Sequence, residues 1–119
     1  MKKLLTAIAL LTAVITTSAK ADSIGTARAK AEHFAMVSEA LKIQMEFFVV
    51  QPQVWHIEKI TALTPQFVEA MDDMDSKTMA MCKADDSCNY YFQMGIDNLD
   101  AIDYLKPKML KVAQQMDSN

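Results

Sequence analysis

Between Met71 and Cys88 the chain reads MDDMDSKTMAMCKADDSC, which sets four methionines and both cysteines among five aspartates. Three chemistries compete for this stretch: a soft-metal site, a dithiol redox centre and a covalent staple. Thioethers suit Cu(I), so Met71, Met74, Met79 and Met81 are the metal candidates, with His33 or His56 as further donors. The spacing favours a plainer role. Phe67, Met71, Met74, Thr78 and Met81 follow one another at four, three, four and three residues, the repeat of a single helix face. Methionine fills irregular gaps in such faces. Only Met79 falls off the stripe, and it keeps copper binding as the alternative reading.

Redox catalysis by Cys82 and Cys88 is disfavoured by the residues around them. Dithiol enzymes use C-x-x-C with a thiol of depressed pKa; here five residues intervene, and the neighbouring carboxylates push a thiol pKa up. A structural Cys82–Cys88 disulfide is the expectation. In an unbroken helix, residues six apart are separated by about 9 Å of rise, beyond the roughly 7 Å that a disulfide tolerates between Cα atoms. The helix must therefore break within KADDS, where Asp86 or Ser87 can cap the next one. Closing so small a loop contributes about 2.4 kcal/mol on the chain-entropy model.

No other constellation supplies a nucleophile, a base and a stabiliser together. His33 and His56 stand alone, Asp73-x-Asp75 lacks the glycine and terminal glutamate of an EF-hand, and no C-x-x-C-H is present for haem. The sequence thus points to a protein that is not an enzyme and needs no cofactor.

The elements that carry these residues read as helices. Only two glycines and three prolines punctuate the 119 residues, and sustained period-two alternation is absent. The periodicity predicts a first helix over Thr26–Val50 with two apolar stripes. One stripe is Ala27, Ala31, Phe34, Ser38, Leu41, Met45 and Phe48; the other is Met36, Ala40, Ile43, Phe47 and Val50. A helix apolar on two sides is either the central helix of its domain or has an outside partner. A short helix over Pro52–Thr61 should follow. Thr64 and Pro65 then give the signature of a fresh helix start, carried to about Lys83. A last helix over Ser87–Met116, kinked or briefly broken at Pro107, completes the reading. The expected fold is all-α: a small antiparallel bundle of three main helices, two interrupted near prolines, with a disulfide at an interhelix turn.

The opening MKKLLTAIALLTAVITTSAKA has a basic start, an apolar run and an Ala-x-Ala ending, the pattern of a secretory signal cleaved after Ala21. Residues 22–119 then form a single helical domain, periplasmic or secreted, with no stable membrane insertion once the signal is gone. Loss of Lys2, Lys3 and Lys20 leaves nine basic residues against fifteen acids, a net charge of −6. Nucleic acid is a poor partner for such a surface, because phosphate binding needs clustered Lys and Arg. The aromatic residues instead suggest protein binding: Phe47, Phe48, Trp55, Tyr90 and Tyr91 are the candidate partner-binding residues. The expected partner is another envelope protein or a second copy.

Overall fold

The computed structural model describes residues 23–118, so the expected signal segment, 1–21, lies outside the described residues. The fold has four helices: α1, Ile24–Val50; α2, Val54–Asp73; α3, Ser76–Lys83; and α4, Asp86–Ser118. No strand occurs among the described residues.

Helix α1 begins where Ser23 accepts the Thr26 backbone N–H at 3.1 Å, an N-cap two residues earlier than the periodicity suggests. It ends at Gln51, ahead of Pro52, because the residue before a proline is driven out of the helical region. The next boundary differs from the sequence reading. No new helix starts at Pro65; α2 runs through it. The Thr64 hydroxyl turns back to donate to the Ile60 carbonyl at 2.7 Å, and the Thr61 hydroxyl donates to the Ile57 carbonyl at 2.8 Å. Such hydroxyl back-bonds compete with forward capping and accommodate a bend. The real break comes nine residues after Pro65, at Met74, where Asp75 accepts the Thr78 N–H at 2.8 Å and starts α3. The helix expected over Pro65–Lys83 is therefore two helices. Pro107 lies inside α4 without ending it.

Contact partners give the topology. Gln44 meets His56 and Phe34 meets Phe67, so α1 and α2 are antiparallel. Arg28 meets Asp85, Phe34 meets Phe92, and Ser38 meets Asn98, so α1 and α4 run parallel. The expected antiparallel order holds for neighbours in sequence only. With three long helices laid up, down and up, the first and third must point the same way.

The first stripe of α1 is buried throughout: Ala27, Ala31, Phe34, Ser38, Leu41, Met45 and Phe48. Helix α1 is the central helix. It packs extensively on α2 and α4, which scarcely touch each other. Phe34 joins all three, with ring centroids 6.2 Å from Phe67 and 6.4 Å from Phe92. Beside it, buried Asn98 donates to the Ser38 hydroxyl at 3.1 Å and Ser38 donates to the Ala35 carbonyl at 3.0 Å. Both buried polar groups are thereby satisfied, and they fix the register of α4 on α1. The body measures 52 × 30 × 17 Å. Helices are about 10 Å across with side chains, so its width matches three helices abreast and its thickness falls short of two layers.

Gly95 is the point of closest approach. A Cβ placed there would overlap the Phe34 ring. Gly95→Ala should therefore destabilise the fold by about 1–3 kcal/mol despite its better helix propensity. Urea unfolding checks this, and an unchanged midpoint would mean that α4 does not seat on Phe34.

Candidate functional site

The corner around the cysteines is built as a staple. Helix α3 ends at Lys83, α4 starts at Asp86, and the break brings the Cys82 and Cys88 Cα atoms to 4.7 Å, as a disulfide needs. Both cysteines are fully buried. The cap is Asp85, not Asp86 or Ser87: its Oδ2 accepts the Cys88 N–H at 2.9 Å. The same carboxylate takes two hydrogen bonds from Arg28, Nε to Oδ2 at 2.9 Å and a terminal nitrogen to Oδ1 at 2.7 Å. One side chain thus caps α4 and ties the corner to the start of α1. The Arg28 hydrogen bond, with help from the Cys88 N–H, lowers the Asp85 pKa to about 2. Asp73 behaves oppositely, since burial raises its pKa.

Met71 lies on α2, Met79 and Met81 on α3, and Met74 at the break between them. Met74 is buried, and Met71, Met79 and Met81 pack against the core while partly exposed. Met79, off the stripe, nonetheless packs against the core beside it, while Thr78 and Met81 keep the expected inward register beyond the break. Among the described residues, no group of three or more His, Cys, Asp or Glu side chains is placed to hold a metal ion. His56 is buried, its Nδ1 3.0 Å from the Gln44 Oε1 and its ring between Phe47 and Trp55. The buried Nε2 of His33 and Oε2 of Glu69 have no hydrogen-bond partner.

The feature most suited to binding lies between α2 and α4. Because these helices stand apart on α1, they form the walls of an open trough of about 490 Å³. Leu41, Met45 and Phe48 of α1, with buried Ile102 of α4, make its floor; Ile57, Ile60 and Val68 stand on one wall, Met109 and Leu110 on the other. Only Thr64 and Lys106 interrupt the apolar lining. Val68 is 45% exposed and Leu110 62%, so the walls face water. The sequence offered a signal for this site, since Ile57, Ile60, Thr64, Val68 and Met71 recur at helical spacing. Reading a helix boundary at Pro65 split that stripe in two.

The aromatic candidates scatter. Phe47 and Trp55 come together through His56, with ring-centroid distances to it of 5.7 and 3.8 Å. They stand exposed at the α1–α2 turn beside Val50 and Val54. Phe48 is a correction: it is 1% exposed and belongs to the core and trough floor, not to a surface patch. Two adjacent helix positions point about 100° apart, and here only Phe47 points outward. Tyr90 and Tyr91 meet edge to face at 5.4 Å, but away from Trp55. Tyr90 lies exposed along the furrow between α1 and α4, and Tyr91 packs on the core. No helix among the described residues is long and apolar enough to cross a membrane.

The Asp85 pKa sets a pH dependence. A carboxylate held near 2, against an ordinary value of about 3.9, contributes stability that is complete above the ordinary value and vanishes as pH falls through the lowered one. Asp85→Asn should lower the melting temperature near neutral pH and lose less than the parent between about pH 4 and 2. Thermal melts across that window check this; parallel acid limbs would contradict it. Comparison with protein-family models, curated proteins and solved structures finds no match for this chain.

Proposed function

We propose that this chain is a small, exported, non-enzymatic protein that acts by holding a helix of another protein in the α2–α4 trough. An accessory factor, chaperone or inhibitor in an envelope process such as secretion or conjugative transfer fits this reading. The trough is the observation that carries it. Monomeric soluble proteins rarely leave a continuous apolar surface of this kind uncovered, and those that do use it for binding. Its lining runs from Ile57 to Met71 and from Ile102 to Ala113. At 1.5 Å per residue that is about 16–21 Å, or three to four helical turns. A guest helix laid there would cover both walls and the floor, and would complete a four-helix bundle. The near absence of polar groups in the lining suits an apolar helix face better than a polar small molecule. The signal-like N-terminal segment supports the exported part of the reading, and the acidic surface supports a protein partner over nucleic acid.

The copper alternative has no comparable support. Its four methionines are spread over two helices and the break between them, and at least one of them, Met71, is a trough residue.

A photo-crosslinking residue at Val68 tests the trough in the cell that makes the protein. The expected result is one discrete adduct, lost with Leu110→Glu and Ile57→Glu, while the melting temperature of that double variant stays within a few degrees of the parent. Both positions reach water, Ile57 at 39% and Leu110 at 62% exposure, so the introduced charges stay solvated. No adduct, or an adduct indifferent to these charges, would contradict trough binding.

A further inference from the structure

The second apolar stripe of α1 is only partly covered. Met36, Ile43, Phe47 and Val50 are exposed, Val50 at 84%, while Ala40 and Ile43 line a shallow groove with Ala62 and Leu63 of α2 and Phe47 rests against His56. They lie on the far side of the helix from the trough, since Leu41 and Ile43 are about 200° apart around the axis. Met36, Ile43 and Val50 are seven residues apart, and so are Ala40 and Phe47. Together they alternate at four and three residues, the seam of a coiled coil. A third row follows the same interval: Glu32, Glu39 and Glu46, all exposed along one edge of the seam. Asp86, Asp97 and the exposed Tyr90 line the furrow across from Glu39. Two basic residues lie nearby. Lys42, 3.9 Å from Glu46, offsets part of that end of the row. Lys59, which lines the groove beside Ile43, sits over the Trp55 ring at 5.0 Å. Glu32 and Glu39 leave the edge acidic.

We propose that this face of α1 is a second docking surface, for a partner helix that carries a matching apolar four-three repeat flanked by lysine or arginine. Charge complementarity selects that occupant. In coiled coils the positions flanking the seam choose the partner and its direction through ion pairs. A second copy docked antiparallel would set the glutamate row against itself, with Glu39 facing Glu39. Docked parallel, it would set the row against Gln44 and Gln51, which supply no cation. A basic helix supplies one at every heptad. This surface is independent of the trough, and the molecule would hold two helices on opposite sides of α1.

Two synthetic helices of about three heptads test the proposal, both with leucine seams, one flanked by lysine and one by glutamate. Binding to the purified protein is measured by calorimetry. The lysine peptide should bind about tenfold tighter or better, and added salt should weaken it. Replacing Met36, Ile43 and Phe47 by glutamine should cost about tenfold in its affinity. Replacing Glu32, Glu39 and Glu46 by glutamine should abolish the preference for lysine. The trough variant Ile57→Glu with Leu110→Glu should bind the lysine peptide as the parent does, which separates this surface from trough binding. Helical circular dichroism confirms that each variant is folded. Equal binding of both peptides, binding indifferent to the seam triple, or a preference that survives the glutamate triple would overturn the proposal. So would a dimer of the parent protein that the seam triple dissolves, since the second copy would then be the occupant.

Discussion

The seating of the Phe34 ring against Gly95 is the contact on which the rest of this structure depends. Phe34 lies on the central helix and touches Phe67 on one neighbour and Phe92 on the other, while the missing side chain at Gly95 lets α4 approach. The domain therefore condenses around α1, not around a shared axis of three helices. Ser38 and Asn98 lock one side of that arrangement by hydrogen bonds. Arg28 and Asp85 hold the corner where the chain turns into α4, with the cysteine pair closing the loop. Apart from the cysteine pair, which joins α3 to α4, each device attaches something to α1. None brings α2 to α4.

The consequence is a thin body with apolar surface on two sides. A three-helix bundle that closed upon itself would bury Ile57, Val68 and Leu110 against each other, and at about 25 cal/mol per Å² that burial is a substantial stabilisation to forgo. Here those residues face water across the trough, while Met36, Ile43 and Val50 do so behind it. Stability rests on the buried face of α1, the capped corner and the staple. The exposed faces are the observation on which the proposed function rests.

Much of the fold was legible in the residues. The four-three repeat from Ala27 to Phe48 marked the face that is in fact buried, and the geometry of residues six apart required a break between Cys82 and Cys88. Both rest on fixed helical dimensions. Capping was harder to read, because the local chemistry is ambiguous. Thr64 before Pro65 has the look of a helix start, yet its hydroxyl is equally able to bond backward to Ile60. Asp75, one of several aspartates in a row, is the cap that tertiary packing selected. Reading a boundary at Pro65 divided the trough's α2 wall between two expected helices. Phe47 and Phe48 could not be told apart as inward and outward until the axis of α1 was known. The trough itself depends on the distance between α2 and α4, a property of tertiary packing that no local pattern encodes.

The central claim is that α2 and α4 stand apart and leave the trough open to water. Methyl relaxation by a soluble paramagnetic probe reads this directly in the monomeric protein. An open trough gives strong relaxation at Ile57, Val68 and Leu110, comparable to that at Ile43 and Val50, with protection at buried Ile102 and Leu105. Protection of Ile57, Val68 and Leu110 equal to that of Ile102 would mean that α2 and α4 close over α1, and would contradict the claim.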